Sequence, residues 1–192
     1  MDHWSIDPAI KPLPLKWVFT YKFDKDGFLD RYKASICVRG DLQPPSEKEK
    51  YAATLAARIF RSLMAIAARF GLKAAQLDAV NAFTNGRLDE TVYTYLPDGF
   101  KIPGKLYWLL MALYGLRRSP LIWLTEFSGA LTDLRLVQVP ESPCLFTNRR
   151  IVVFFFVDDV VILYHPIYET EYIVSKEALM KRYEFKDLGD LK

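Results

Sequence analysis

Apolar and polar positions alternate along residues 15–23, with Trp17, Phe19, Tyr21 and Phe23 on one side and Lys16, Val18, Thr20 and Lys22 on the other. Side chains in a strand project to opposite faces with period two, so this is a strand with one aromatic face. Asp24-Lys25-Asp26-Gly27 is a turn, with glycine where positive φ is needed. The next strand sets Tyr32, Ala34, Ile36 and Val38 against Lys33, Ser35, Cys37 and Arg39. The two strands predict a hairpin with one aromatic and one basic face, and lysines on an edge hairpin also deter aggregation. Around residues 54–70 the period changes. Leu55, Ile59, Leu63, Ile66 and Phe70 recur at helical spacing, and Gly71 supplies a stop. Strands are expected at 73–80 and 91–96, a helix from Pro120 to about 135 with Ser119 as its cap, and a last helix over 170–183. The helix from Pro120 buries Pro120, Leu124, Phe127, Leu131 and Leu134, and the last helix Ile173, Val174, Leu179 and Met180. Residues 1–10 read as an extended lead-in, and Ser46 with Glu49 has capping-box spacing.

One stretch breaks the alternation. In residues 151–164 two runs of aliphatic and aromatic residues enclose Asp158 and Asp159. Every position of the first run is apolar, which predicts a strand covered on both faces. The aspartates fall at the tight turn joining two strands. Asp-Asp suits a turn on its own account. Ionised carboxylates at the edge of an apolar sheet are also costly without a positive charge to meet them, and a divalent metal is the obvious one. Asp78, at the end of the strand over 73–80, adds a third strand-end carboxylate. Strand, helix and strand segments in this order predict an α+β fold.

Composition narrows the picture further. Of 192 residues, 51% are hydrophobic and 26% charged, a globular balance. A net charge of +3 does not by itself announce a nucleic-acid partner, so the placement of the basic residues matters more. Two cysteines, far apart, exclude a disulfide scaffold and fit a reducing, intracellular compartment. No secretory leader or membrane-length apolar run is visible, so no membrane partner and no secretion are expected.

Several motifs together resemble one family. Phe-Val-Asp-Asp at residues 156–159 resembles the catalytic box of reverse transcriptases, usually Tyr-Val-Asp-Asp. Residues 76–86, Gln-Leu-Asp-Ala-Val-Asn-Ala-Phe-Thr-Asn-Gly, are similar to the first carboxylate motif of the Ty1/copia class, and residues 88–100 continue the match. Residues 112–120 resemble its template-side motif, residues 16–19 and 31–34 its fingers hairpin, and residues 185–189 the segment that follows its catalytic hairpin.

The resemblance covers residues 11–192 and implies a right-hand polymerase fingers and palm as a single truncated domain, with the thumb missing beyond Lys192. It implies an RNA-directed DNA polymerase from a long-terminal-repeat retrotransposon polyprotein, acting on an RNA or DNA template with primer and on deoxynucleoside triphosphates. Asp78, Asp158 and Asp159 would be catalytic and bind two Mg²⁺ ions, with Mn²⁺ a possible substitute. Lys33 and Arg39 would hold the triphosphate, Phe83 would exclude a ribose 2′-hydroxyl, and Tyr114 and Gly115 would lie near the templating pair. Arg117, Arg118 and Phe156 would meet nucleic acid. The implied setting is cytoplasmic, in a virus-like particle, or nuclear. Phe156 in place of tyrosine and Leu121-Ile122 in place of a basic residue depart from the pattern. Two rival readings stand beside this one: a catalytically inactive retrotransposon remnant that at most binds nucleic acid, and an unrelated palm-like nucleotidyl transferase or cyclase, which the template-side and fingers motifs count against.

Overall fold

The computed structural model describes residues 11–45 and 51–191, so the lead-in over 1–10 and the capping box at Ser46 and Glu49 lie outside the described residues. The chain forms two compact units, residues 1–50 with 86–119 and residues 51–85 with 120–192. No composition shift marks the crossings between them.

The first unit is built on a mixed sheet. Strands β1 (Leu13–Phe23) and β2 (Leu29–Val38) form the expected antiparallel hairpin, joined by β4 (Tyr93–Tyr95) and β5 (Tyr107–Trp108) in the order β2-β1-β4-β5. Cross-strand pairs Trp17–Ile36, Phe19–Ala34 and Tyr21–Tyr32 share one face, and Lys16–Cys37, Thr20–Lys33 and Lys22–Arg31 the other. The turn is local chemistry. Asp24 Oδ1 accepts from the amides of Asp26 and Phe28, each at 2.9 Å, and Gly27 takes φ +86°. The aromatic face is open to solvent, with Phe19 73% and Tyr32 75% exposed.

The second unit is an antiparallel sheet of six strands with helices on both faces. It orders β10 (Phe185–Asp190), β3 (Lys73–Ala79), β9 (Asp159–Tyr164), β8 (Ile151–Phe156), β7 (Ser142–Thr147) and β6 (Val137–Val139). Helix α1 (Ala57–Phe70) packs Leu63 and Ala67 against Phe154, Val161 and Leu163 on one face. Helix α2 (Ser119–Asp133) brings Phe127 edge-on to Phe155 on the other, and Tyr183, which closes α3 (Glu169–Arg182), meets Trp123 there. Burying residues such as Phe127, Phe146, Phe154 and Phe155 contributes about 1.5–3 kcal/mol apiece. The α+β class is as expected, and β8 is covered on both faces from Val153 to Phe155.

Several expectations about burial change. Ile66 and Phe70 on α1 are exposed, because the contact stripe runs through Leu63 and Ala67. Ile173, Val174 and Met180 on α3 are exposed as well, and Ser175 and Leu179 face inward. The α2 stripe includes Trp123 and Ala130 beside Phe127 and Leu131. Ser119 does not act as a simple cap. Buried at the start of α2, its hydroxyl donates to the Leu113 carbonyl at 2.6 Å. Among the described residues no helix is long and apolar enough to cross a membrane.

Candidate active site

The β8–β9 turn consists of Val157 and Asp158, and Asp159 already opens β9 opposite Phe156. Val157 takes φ +58°, where a β-branched side chain is disfavoured. Two contacts from other elements hold it there. Trp123 Nε1 donates to the Val157 carbonyl at 2.7 Å, and the Ala79 amide donates to the Asp158 carbonyl at 2.8 Å. The turn is thus imposed by α2 and by the end of β3.

That same end of β3 carries Asp78. Registers pair Asp78 with Asp159 on β9 and with Lys186 on β10. Residues directly opposite each other share a face, so Lys186, Asp78, Asp159 and Phe156 form one row across the sheet. Lys186 Nζ stands 3.5 Å from Asp78 Oδ2. Gln76, one row further, donates from Nε2 to Asp159 Oδ1 at 3.3 Å. Asp78 and Asp158 are half-buried and Asp159 is exposed. A cavity of about 440 Å³ on this face is bounded by Phe60, Phe154, Phe156, Gln76 and Asp159. Lys186 and Gln76 were not legible as site residues, since only the strand register brings them to the carboxylates.

Among the described residues no three His, Cys, Asp or Glu side chains stand close enough together to hold a metal ion by themselves. The donors still suit Mg²⁺, which takes hard oxygens, often from one or two carboxylates, and completes its shell with substrate phosphates.

The remaining candidates lie as follows. Phe83 is buried in the 3₁₀ turn Ala82–Asn85 that follows β3. Phe156 is 51% exposed at the end of β8. Lys33 is exposed on the basic face of β2. Arg39 is held by Asp41, with Nε to Oδ1 at 2.8 Å and Nη2 to Oδ2 at 2.7 Å, and the guanidinium brings the Asp41 carboxyl down to about 2. The Val38 amide donates to the Tyr114 carbonyl at 2.8 Å. A Cβ at Gly115 would sit 2.0 Å from the Val38 carbonyl oxygen, and one at Gly40 would sit 1.7 Å from the Gly115 oxygen. Gly115 therefore serves a close approach, as glycine is expected to, but the approaching backbone belongs to this chain. Arg117 is exposed, and its amide donates to Gln43 Oε1 at 3.2 Å. The Arg118 side chain is only 11% exposed and paired with Asp89, Nε to Oδ1 at 3.0 Å.

The sequence profile of the reverse transcriptase (RNA-dependent DNA polymerase) family matches residues 5–192. The chain belongs to the reverse transcriptase family. It is 31% identical over 191 residues to the retrovirus-related Pol polyprotein from transposon TNT 1-94 of Nicotiana tabacum, covering 93% of this chain and 14% of that one. It is 30% identical over 193 residues to the retrovirus-related Pol polyprotein from transposon RE2 of Arabidopsis thaliana, covering 96% and 13%. With the corresponding RE1 polyprotein of the same plant it shares 31% over 156 residues, covering 77% and 11%. The Ty1/copia resemblance and the RNA-directed DNA polymerase ancestry are borne out. This reverse transcriptase chain spans about a seventh of the length of the relatives it matches.

Proposed function

We propose that this chain is the fingers and palm of a right-hand polymerase, adding deoxynucleotides to a primer paired with an RNA or DNA template. The observation that carries the reading is the facing of Asp78 and Asp159 across β3 and β9, with Asp158 in the turn beside them. The reaction is phosphoryl transfer. The primer 3′-oxygen bonds to the α-phosphorus of the incoming nucleotide as the bond to pyrophosphate breaks. Asp78, Asp158 and Asp159 would hold the divalent ions, two Mg²⁺ or in their place Mn²⁺, which supply stabilisation of charge on the attacking and leaving oxygens.

The chain's own residues supply position. Trp123 and Ala79 keep the turn in one conformation, so the carboxylates need no reorganisation when substrate arrives. Lys33 offers the triphosphate an exposed side chain, and Arg39 joins it by exchanging Asp41 for phosphate. Phe83 limits the sugar at its 2′ position, and Phe156 lies against the primer end. Tyr114 and Gly115 form backbone beside the templating base, and Arg117 and Arg118 carry the phosphate contacts, Arg118 from its place beside Asp89. The chain works inside the cell, in a virus-like particle or in the nucleus.

Primer extension on poly(A)–oligo(dT), with Mg²⁺ and then Mn²⁺, tests this against an Asp158→Asn/Asp159→Asn variant. Incorporation by the parent and none by the variant is the expected result. A folded parent that binds Mn²⁺ but extends nothing overturns the working polymerase and leaves a silent nucleic-acid-binding remnant. A parent that binds no metal removes the catalytic reading altogether.

A further inference from the structure

The end of the six-stranded sheet opposite the aspartates holds a second cavity, of about 360 Å³, between the end of α1, the β7–β8 turn and the segment after β9. It lies five residue steps along β8 from Phe156, or roughly 17 Å at strand rise. Phe70, Leu72, Val152, Tyr164 and Tyr168 give it apolar and aromatic walls. At its mouth Phe70 is 64% and Ile167 72% exposed, apolar surface of the kind that marks an interaction site.

The polar rim is unbalanced. Glu171 is already taken, accepting from Asn148 Nδ2 at 2.9 Å and from Arg150 Nη1 at 3.1 Å. Glu169 is taken by Lys73 at 3.3 Å. Arg149, which also lines the cavity, is exposed and meets no carboxylate among the described residues. Arg69 adds a guanidinium over the Phe70 ring, 5.9 Å from its centroid. Arg149 moreover occupies the left-handed region, φ +70°, in the turn between β7 and β8. An ordinary L side chain there costs about 1–2 kcal/mol that glycine avoids. A turn shaped only to connect two strands gains nothing from arginine at that position.

We propose that this cavity takes one unit of a single-stranded nucleic acid. The base lies among Phe70, Tyr168 and Ile167, and its phosphate meets Arg149. Aromatic walls beside an arginine that meets no carboxylate among the described residues suit an unpaired base and its backbone together. A duplex keeps its bases stacked and offers no free base to the cavity. An acidic peptide would use the arginines but leave the aromatic walls unexplained. The site does not depend on polymerase activity, and a catalytically silent chain would carry it equally.

Photocrosslinking tests the assignment. A single-stranded oligonucleotide bearing 5-iododeoxyuridine is irradiated with the full chain, and adducts are mapped by mass spectrometry. Adducts are expected on Tyr168 or His165, at the same yield in the Asp158→Asn/Asp159→Asn variant. Arg149→Gly, which relieves the backbone rather than straining it, and Phe70→Ala should each lower that yield about five- to tenfold with thermal stability held. Adducts confined to other parts of the chain overturn the proposal. So does an unchanged yield in both variants, or an acidic peptide that displaces the strand and binds with the same variant sensitivity.

Discussion

Two hairpins of this chain, β1–β2 and β8–β9, are both rich in aromatic residues and bury them in opposite ways. In β1–β2 the rings of Phe19, Tyr21 and Tyr32 stand in solvent. In β8–β9 the rings of Phe154 and Phe155 are sealed between α1 on one face and α2 on the other. Their turns differ in the same sense. The β1–β2 turn closes itself with Asp24 and a relaxed Gly27, whereas the β8–β9 turn keeps Val157 at positive φ because Trp123 and Ala79 hold it. A locally closed turn can be written in sequence. A tertiary turn needs the rest of the unit, and here it is the one that carries the carboxylates.

Changes to each hairpin's support sharpen this contrast. The largest effect is expected at the base of the exposed hairpin. Gly115→Ala drives a methyl against the Val38 carbonyl, a contact with backbone on both sides, and should cost at least 3–4 kcal/mol in denaturant unfolding. A loss under 1 kcal/mol would mean that this close approach is dispensable. Next comes Trp123→Phe, which keeps an aromatic ring but removes the indole donor to the Val157 carbonyl. A loss of about 1–3 kcal/mol is expected from the unpaired carbonyl, with a fall in primer extension beyond that of an equally destabilised core variant. Equal activity at matched stability would show that the turn needs no holding.

Smaller effects separate the two turns directly. Val157→Gly relieves the backbone and should leave stability within about 1 kcal/mol of the parent while loosening the site, so extension falls more than stability does. Gly27→Ala puts a side chain at φ +86° with open space around it, so it should cost about 1 kcal/mol and leave extension untouched. The smallest change belongs to the open aromatic face. Phe19→Ser should stay within about 0.5 kcal/mol in thermal unfolding, since the ring is mostly in water already.

The same division between local and tertiary causes decides which features are legible in the sequence. The two faces of β1–β2, the presence of α1, the strand carrying Asp78 near its end and the sealed strand before Asp158 follow from periodicity, because each pattern is a property of neighbours in sequence. Strand β10 was not legible as a strand. Phe185–Asp190 is largely exposed and does not alternate, and it is a strand because it pairs with β3. Ile173, Val174 and Met180 misled because an apolar residue at helical spacing does not say which face of the helix meets a partner. At the site, the aspartates were legible from their strand ends. Lys186, Gln76 and Trp123 were not, since each reaches its partner through pairing or packing between segments distant in the chain.

Lys186 has a consequence for how the protein is made. By standing opposite Asp78 at the acidic end of the sheet, it gives the carboxylates a positive neighbour from within the same unit. Where a cluster of acidic groups depends on an ion for its neutralisation, the chain must wait for that ion before it can fold. Here one counter-charge, opposite Asp78, arrives with β10 as part of the same chain, so part of the acidic end is met before any ion binds.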